Sequence, residues 1–329
     1  MIDFSQFDSL LEMTCYFADE ARCIDAIVES RWGKGDEQDV ICPYCGEHHC
    51  NVGKCGRFRC PKCKRNFSCK VGTIFEGSNL PLFKWFIAMY LISSHKKGLS
   101  SHQLGRDIKV SQKTAWYILQ KVRALYAQDD SEALKGEVEC DEVYIGGKEK
   151  WKHKSMKTPK TQGRSTKTKT PVFGMMERTY IEKPNGELEF MSYVRAVVVE
   201  NTTKDTLMPI VQQFVKEGST VFTDEHSAYN TLNDYGYCHK LCCHNNFEFV
   251  CEGKVYTNNI ECFWSHFRRM IVGCYHNVSD EHLQSYIDEA CFRWNTRKMS
   301  ESERFAQMFG SAIGLVKTNR EFVLCCKAA

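Results

Sequence analysis

Two short cysteine motifs near the start of the chain carry its most specific chemical signal. Each has the form Cys-Pro-x-Cys, and fourteen residues separate Cys42–Cys45 from Cys60–Cys63. Paired motifs at this spacing present four thiolates to one tetrahedral zinc ion, which leaves no position for water or substrate. They therefore predict a recognition module with the zinc ligands Cys42, Cys45, Cys60 and Cys63. Ordinary reduced thiols are the alternative, and Cys50 or Cys55 could replace one ligand.

A second group of residues could bind metal through carboxylates. Asp141, Asp224 and Glu261 are far apart in the sequence, but each lies in or next to a segment that predicts a strand or a helix. Converging carboxylates repel one another unless cations neutralise them, and oxygen ligands select Mg²⁺ or Mn²⁺. Two such ions about 4 Å apart can hold a phosphodiester, activate water or a sugar hydroxyl, and stabilise the leaving oxygen. The acids therefore predict metal-dependent phosphoryl transfer.

Strand register decides which acid of each pair faces this site. Glu142 follows Asp141, and Glu225 follows Asp224. Successive side chains of a strand point to opposite faces, so only one acid of each pair is expected to point inward. We favour Asp141 and Asp224.

The third ligand is less tightly specified by pattern. Glu261 lies early in a predicted helix, where a glutamate is often only a favourable partner of the helix dipole. Asn258, three residues earlier, could also reach a metal or a phosphate. Arg268, two turns after Glu261, could meet a phosphate or the carboxylates, or could be a solvated helix charge. Among the histidines of this region, His244 is the best candidate for a supporting role.

The elements that must position these acids follow from hydrophobic periodicity. The predicted strands are Val138–Ile145, Thr170–Met176, Met191–Val199 and Ser219–Thr223. The predicted helices are Thr203–Gly218, Asn259–Val272 and Asp280–Arg297. Three strands, a helix, a strand and then helices is the order of an α/β mixed-sheet domain of the ribonuclease H-like kind.

Two short helices before this domain predict a DNA-binding motif. Ser100 and Ser111 are favourable N-caps, and a break precedes the second helix, Gln112–Arg123. Two short helices joined by a tight turn form a helix-turn-helix, in which the start of the second helix enters the major groove. An ordinary helical hairpin is the alternative. The candidate DNA-contacting residues are Gln112, Lys113 and Thr114.

The remaining patterns complete a division into regions. An apolar face predicts a helix over Phe7–Arg31, and Arg57–Arg59, Asn66–Ser68 and Val71–Phe75 are predicted strands of a small antiparallel sheet. The predicted regions are a helical segment (1–40), a zinc ribbon (41–77), a helix-turn-helix region (78–130), a catalytic domain (131–300) and a C-terminal tail (301–329).

Composition and charge narrow the class of protein. A chain of 329 residues can form two or three domains, and its net charge of +3 is too small to identify a partner. Residues 150–171 contain eight Lys or Arg residues and no acid, which predicts a mobile basic loop, either a solvated linker or an arm that grips phosphates. The chain has nineteen cysteines but no signal peptide and no apolar run of membrane length. These features predict reduced thiols in a cytoplasmic protein, or a nuclear one in a eukaryotic host.

Taken together, these motifs resemble those of a known family. The chain is similar to bacterial insertion-sequence transposases of the Asp-Asp-Glu type with an N-terminal zinc ribbon, a group related to the eukaryotic Merlin elements. The resemblance covers nearly the whole length, and its most specific parts are Thr170–Gly174, Thr223–His226 and Tyr256–Trp264. It also includes Arg31-Trp32, both cysteine motifs, Gly72–Phe75, Lys113–Trp116 and Glu139–Lys148.

The resemblance implies a DNA transposase. Carried over by position, it implies that Asp141 and Asp224 are the first two metal-binding acids and Glu261 the third. Asn258 is the alternative third ligand, and Arg268 matches the basic residue two turns later. The implied activity is cleavage at terminal inverted repeats, followed by attack of the freed 3′ hydroxyl on target DNA. Its implied partners are double-stranded DNA and a second copy of the chain, because two ends must be joined.

Two other functions remain open. A DNA-binding regulator derived from such an enzyme would keep the ribbon and the helices but lose the chemistry, and the presence of Asp141, Asp224 and Glu261 argues against it. A ribonuclease or junction-resolving nuclease could share the sheet architecture, but it would not need the modules that precede the sheet.

Overall fold

The computed structural model describes residues 4–7, 9–127, 133–146, 153–159, 165–183, 185–242 and 256–314. The chain divides into two compact units, Met1–Leu125 with Lys298–Ala329, and Tyr126–Arg297. Within the described ranges, no helix is both long enough and apolar enough to cross a membrane.

The helices and strands are numbered in chain order. The helices are α1 (Leu10–Phe17), α2 (Glu20–Trp32), α3 (Leu82–Ser94), α4 (Ser101–Asp107), α5 (Gln112–Arg123), α6 (Lys204–Phe214), α7 (Asn258–Met270), α8 (Asp280–Asn295) and α9 (Glu301–Gly314). The strands are β1 (Asn51–Val52), β2 (Arg57–Arg59), β3 (Asn66–Ser68), β4 (Glu137–Ile145), β5 (Thr170–Glu182), β6 (Leu188–Val198), β7 (Thr220–Thr223) and β8 (Cys238–Leu241).

The N-terminal helical region is two helices rather than the single helix predicted over Phe7–Arg31. Ser9 and Glu12 form a reciprocal capping box at the start of α1. The Asp19 side chain then accepts a hydrogen bond from the Ala21 backbone N–H at 2.9 Å and caps α2. Because an N-cap residue has extended rather than helical backbone angles, Asp19 ends the first helix as it begins the second.

Aromatic side chains from distant parts of the chain form the core of the first unit. The Phe86 ring in α3 lies 4.7 Å from the Phe17 ring in α1 and 5.1 Å from the Phe309 ring in α9. Helix α9 buries Phe305, Met308, Phe309 and Ala312. Residues 301–314, which the sequence division assigned to a tail, therefore form a helix that contributes to this core.

A small antiparallel sheet in the order β1-β2-β3 accompanies the cysteine motifs. Phe58 and Phe67 are cross-strand partners, and both rings lie near the Trp32 ring at the end of α2. The segment Val71–Phe75 is not a strand as predicted. Its backbone N–H groups bond three residues back, Val71 to Ser68 and Thr73 to Lys70, which makes turns instead of a ladder.

Helices α4 and α5 are joined by a tight turn. The Ser100 and Ser111 side chains cap the two helices, as the sequence predicts. Lys109 in the turn has a φ of +50°, and the Val110 N–H bonds to the Gly105 carbonyl at 2.9 Å. A Cβ at Gly105 would lie 3.1 Å from the Val110 carbonyl oxygen, so glycine allows the chain to fold back closely at this point.

The second unit is built on a five-stranded mixed sheet in the order β6-β5-β4-β7-β8. Strand β5 pairs antiparallel with both β4 and β6, whereas β7 runs parallel to both β4 and β8. The four predicted strands are present. The fifth, β8, was not anticipated, and it lies at one edge of the sheet.

Both faces of this sheet are covered by helices. Val138 and Cys140 of β4 belong to one apolar cluster with residues of α6. Val143 of the same strand belongs to the other cluster, with residues of α7 and α8. Odd-numbered residues of β4 therefore face α7, and this face carries Asp141.

Candidate metal centres

The two cysteine motifs adopt the same local structure. In each, the first cysteine N–H bonds to the carbonyl five residues later (Cys42 to Glu47, Cys60 to Arg65). Its own carbonyl accepts from the residue four positions later (Gly46 or Lys64), and that residue has a positive φ. Each turn thus directs two sulfurs to one side.

The four sulfurs meet at tetrahedral spacing. The Sγ atoms of Cys42 and Cys63 are 3.7 Å apart, and those of Cys45 and Cys60 are 3.6 Å apart. A tetrahedron with zinc–sulfur bonds of about 2.3 Å has edges of about 3.8 Å, so the arrangement fits zinc. Cys50 and Cys55 are not members of this group. The structure therefore brings together the four residues that the sequence identified.

The protonation of these thiols also fits a cation. Burial raises the pKa of the Cys60 thiol, but backbone N–H groups of Cys63 and Lys62 oppose this, and the pKa is lowered to about 6. The Glu47 N–H lowers the pKa of Cys45, whereas burial and hydrogen bonds to the other thiols raise it to about 12. Four thiolates at this spacing need a divalent cation, because without one a thiol such as Cys45 stays protonated.

The acidic group lies in the second unit, where β4 and β7 run side by side. The parallel register pairs Glu139 with Phe222, and extending it by two residues aligns Asp141 with Asp224. Carboxylate oxygens of Asp141, Glu142 and Asp224 all lie within 4.8 Å of one another. This donor set of hard oxygens fits Mg²⁺ or Mn²⁺.

The electrostatics of Asp141 report this crowding. Burial is the largest cause that raises its pKa, to about 7, and the charge of Glu142 contributes next. Asp224 and Glu261 raise it further, while the Glu142 backbone N–H lowers it. A carboxyl group that is hard to ionise among other acids is one that a nearby cation would return to its charged form.

The acids that neighbour the two aspartates differ from each other. Glu225 is exposed and outside the group, whereas Glu142 is half-buried and within it. The hydroxyl of the fully buried Tyr229 donates a hydrogen bond to Glu142. From strand register we expected only one of Asp141 and Glu142 to face the site. In the structure, the carboxylates of both lie close to that of Asp224.

Helix α7 lies next to this group and carries the other predicted residues. Glu261 and Arg268 are exposed, and Asn258 is half-buried. Glu261 is not among the acids within 4.8 Å of one another, although its charge acts on Asp141. Its role as third ligand, and that of Asn258, remain predictions.

A glycine opposite Asp141 lets α7 approach the sheet. Gly174 of β5 is the cross-strand partner of Asp141. A Cβ at this position would lie 2.4 Å from Cζ2 of Trp264 and 3.1 Å from Cδ1 of Ile260, both on α7. The absence of a side chain at residue 174 therefore sets how close the helix comes to the acids.

Sequence reasoning missed a buried glutamate on the same strand face. Glu139, two residues before Asp141, is completely buried, and its carboxylate accepts a hydrogen bond from the Ile260 backbone N–H at 2.9 Å. The available signal was a charged residue two positions from Asp141, because alternate residues of a strand share a face.

The candidate DNA-contacting residues differ in exposure. Gln112 and Lys113 are exposed at the start of α5, and the Gln112 amide donates to the Ser101 hydroxyl at 2.8 Å. Thr114 is half-buried, and both its N–H and its hydroxyl bond to the Ser111 side chain. The structure therefore brings Gln112 and Lys113 to the surface and ties Thr114 into the cap.

Two predicted features fall partly or wholly outside the described residues. His244 lies outside them, as do residues 150–152 and 160–164 of the basic segment. In the described part of that segment, Lys154, Lys157 and Lys167 are exposed.

Comparison with family models gives two matches. The model described as the ISXO2-like transposase domain matches residues 133–295. The model described as the transposase zinc-ribbon domain matches residues 18–66. The first covers the five-stranded sheet with α6 to α8, and the second includes all four cysteines.

Two curated proteins are similar in sequence. A protein of Halobacterium salinarum, described as an uncharacterized protein in transposable element ISH50, is 30% identical over 285 residues, which is 82% of this chain and 89% of that protein. An uncharacterized transposase-like protein of Haemophilus influenzae is 31% identical over 106 residues, which is 32% of this chain and 84% of that protein. These findings confirm the resemblance drawn from the motifs.

Proposed function

The chain belongs to the insertion-sequence transposases that carry an N-terminal zinc ribbon, and on that premise we propose that it is a metal-dependent enzyme of the Asp-Asp-Glu type that cuts and joins DNA. The observation that carries this proposal is the convergence of Asp141, Glu142 and Asp224 within 4.8 Å of one another. Three carboxylates at one point of a sheet repel one another unless cations neutralise them, so their convergence supports a cation site there.

The sheet supports a ribonuclease H-like assignment for this domain. Three antiparallel strands, β4 to β6, are followed by α6, and the two remaining strands extend the sheet parallel to β4. Asp141 lies in β4, Asp224 directly follows the paired strand β7, and α7 packs against β4. We take residues 131–300 as the catalytic domain.

In this proposal the carboxylates of Asp141 and Asp224 would hold the catalytic cations. Glu142 adds an oxygen, and the buried hydroxyl of Tyr229 fixes its orientation by hydrogen bonding. Bound Mg²⁺ or Mn²⁺ would activate the attacking water or 3′ hydroxyl and stabilise the leaving oxygen. Asp224 also accepts from the His226 backbone N–H at 3.1 Å, which helps to hold its carboxylate in place.

Helix α7 supplies the rest of the catalytic surface in this proposal. Glu261 is the third acidic ligand, with Asn258 as the alternative three residues earlier. Both are in the first turn of α7, and the charge of Glu261 already acts on Asp141. Arg268 is exposed further along the helix, where its guanidinium can bind a DNA phosphate.

The first unit is proposed to bind the ends of the element. A structural zinc ion held by the four cysteines would stabilise the ribbon (41–77), and the helix-turn-helix region (78–130) would present Gln112, Lys113 and Thr114 to DNA. The basic segment 150–171 would add contacts to phosphates. Two copies of the chain would act on two ends, in the cytoplasm at the nucleoid.

The direct test is cleavage of a labelled duplex that contains the terminal repeat of the element. The full-length protein should nick the repeat end in Mg²⁺ or Mn²⁺, not in EDTA, and should join the resulting 3′ hydroxyl to a second duplex. Asp224→Asn should bind the duplex but not cut it. Asp205→Asn, an exposed charge at the start of α6, is the matched control and should cut normally.

The alternatives give different results in the same assay. A silent regulator would bind the repeat and cut nothing in either metal. A ribonuclease would cut the RNA strand of a hybrid in preference to the DNA end. Either result, or full cleavage by Asp224→Asn, would overturn the proposal.

A further inference from the structure

A buried ion pair joins the strand of Asp141 to the first turn of α7. The Glu139 carboxylate accepts hydrogen bonds from Arg178 Nε at 2.5 Å, Asn259 Nδ2 at 2.6 Å and the Ile260 backbone N–H at 2.9 Å. Glu139 is 0% exposed, so each of these bonds forms away from water. Its carboxylate therefore contacts both β5, through Arg178, and α7.

Arg178 holds the other side of the same turn. Its guanidinium donates to the Tyr256 carbonyl and lies 3.8 Å from the centroid of the Tyr256 ring. It also lies 4.3 Å from the centroid of the Phe222 ring on β7. The guanidinium thus contacts both Tyr256, which leads into α7, and Phe222 of the sheet.

The pair takes the place of an ordinary helix cap. Thr257, the N-cap residue of α7, makes no side-chain hydrogen bond to the helix. Glu139 instead accepts from the first-turn N–H of Ile260, and a carboxylate is favoured at the positive end of a helix. A buried ion pair adds little net stability, because desolvation offsets its attraction, so its use here calls for a positional explanation.

We propose that Glu139 and Arg178 are a positioning pair for the catalytic site. Glu139 and Asp141 share one face of β4, about 7 Å apart along the strand. By holding the first turn of α7, the pair fixes Asn258 and Glu261 relative to Asp141. This inference rests on the proposed function for its purpose, but the bonds and their effect on α7 are independent of it.

The test uses Glu139→Gln in the full-length chain, with two measurements that need no DNA. Hydrogen exchange should become more than about tenfold faster at the first-turn amides of α7, and not in α8. The dissociation constant for Mn²⁺ at the acidic group, measured by electron paramagnetic resonance, should rise about 10- to 100-fold, as when a ligand loses its support. Glu189→Gln, which removes the ion pair between the half-buried Glu189 of β6 and the exposed Lys183, is the matched control and should change neither value.

A milder variant covers the case in which Glu139→Gln fails to fold. Asn259→Ala removes one bond to Glu139 and leaves the ion pair, so it should fold and change both values in the same direction by several-fold. Wild-type exchange in α7 together with wild-type Mn²⁺ affinity, in whichever variant folds, would overturn the positioning role. Failure of the wild-type chain to cut DNA would overturn the proposed function alone.

One face of the small sheet in the first unit carries exposed Arg and Asn side chains. Cross-strand pairing places Asn51, Arg59 and Asn66 in one row across the ribbon sheet, with Arg57 next to Ser68. The opposite face carries the buried Phe58 and Phe67. A groove of about 670 Å³ lies along the sheet, and no acidic residue lines it.

The side chains of this face suit DNA. Arginine can pair with guanine and asparagine with adenine, each through two hydrogen bonds. Arg57 and Arg59 are exposed, and their side chains make no hydrogen bond or ion pair with any residue that the structure describes. We infer that this face, defined by Asn51, Arg57, Arg59 and Asn66, docks on duplex DNA, which deepens the proposed binding of the element ends.

Binding of a terminal-repeat duplex by the Arg57→Ala/Arg59→Ala chain tests this inference. Affinity should fall by about tenfold per arginine relative to the wild type, with zinc content unchanged. If the arginines contact phosphates, the slope of log affinity against log salt should also fall by about 0.9 for each. Lys34→Ala, which removes an exposed cation paired with Glu29, is the control. Duplex binding equal to that of the control, or loss of binding only to RNA or to an acidic protein, would overturn it.

Discussion

The two candidate metal centres are assembled in opposite ways. The thiolate centre takes its four ligands from two turns with identical hydrogen bonding, between residues 42 and 63. The carboxylate centre takes Asp141 and Asp224 from strands that are paired but more than eighty residues apart, as their register offset requires. The first is closed by its own short segment, whereas the second exists only once the sheet has formed.

The two centres also differ in how much of the sequence is needed to predict them. A turn that directs two sulfurs is specified by four or five residues, so the cysteine centre follows from a motif. Gly174, α7 and the bonds of Glu139 surround the acidic centre, and none of them adjoins Asp224 in sequence. We therefore expect ligand loss to have local effects in the first centre, and the second to respond to changes outside its ligands.

The largest effect is expected in the thiolate centre. Cys60→Ser should release zinc and unfold the ribbon, because structural zinc contributes about 10 kcal/mol to folding in small zinc domains. Zinc content should fall to near zero by a colorimetric chelator assay, while Mn²⁺ binding to the acidic group stays unchanged. Cys55→Ser, an exposed thiol outside the group, is the control. Full zinc content in Cys60→Ser would contradict the assignment.

The next effect concerns the ligands of the acidic centre. Asp141→Asn should lower the rate of repeat-end cleavage by about 10³-fold, because the loss of metal-based charge stabilisation costs several kcal/mol. Duplex affinity should stay within about twofold of wild type, since the substitution changes none of the residues proposed above to contact DNA bases or phosphates. The cleavage rate of Glu142→Gln should lie between those of wild type and Asp141→Asn. A rate equal to wild type in Asp141→Asn would remove the acids from the mechanism.

A smaller effect tests whether the acidic centre depends on packing beyond its ligands. Gly174→Ala places a Cβ 2.4 Å from the Trp264 ring, so α7 must shift, at a cost of about 1–3 kcal/mol in the free energy of unfolding. Cleavage should also fall, because α7 carries Glu261. Chemical denaturation and the cleavage assay measure both. Gly273→Ala, which meets no atom within 4 Å, should change stability by less than about 0.5 kcal/mol.

The smallest effect concerns Lys121, a buried lysine of α5. Lys121 is buried and donates to the carbonyls of Ile74 and Glu76. Burial lowers its pKa to about 8, below the ordinary value of 10.5 in the unfolded chain. Between these values the unfolded chain binds more protons, so this residue makes the fold more stable as pH rises and least stable below pH 8.

The predicted direction of this pH dependence can be tested by comparing the melting temperatures of wild type and Lys121→Met. The melting temperature of wild type minus that of Lys121→Met should rise by about 2–4 °C between pH 8 and pH 10. Subtraction removes the cysteine and tyrosine titrations that both chains share. A difference that stays flat or falls over this range would show that Lys121 is not held in its depressed state.

Parts of the fold were predictable wherever one short segment contains the signal. The strands with Asp141 and Asp224, the caps at Ser100 and Ser111 and the cysteine turns all agree with the sequence expectations. Strand β8 was missed because its four residues have no buried apolar alternation, and only pairing with β7 makes them a strand. The break at Asp19 was missed because the apolar face continues across it.

At the acidic centre too, the sequence predicted the secondary-structure elements but not the contacts between them. Periodicity identified the strand and the helix that carry Asp141 and Glu261, but not how far apart their side chains would be. The role of Glu139 depends on Arg178, thirty-nine residues away, and on backbone N–H groups of α7. The charge on the strand face of Asp141 was visible in the sequence, but the backbone N–H partners of Glu139 were not, because every residue except proline has such a group.

The placement of Glu139 and Asp141 on one face of a single strand has a consequence for misfolding. Because side chains alternate along a strand, slippage of β4 by one residue would turn both carboxylates to the opposite side together. The slipped chain would lose the cap of α7 and an acid of the centre in one step. A one-residue slip would therefore not remove either carboxylate from its site without removing the other.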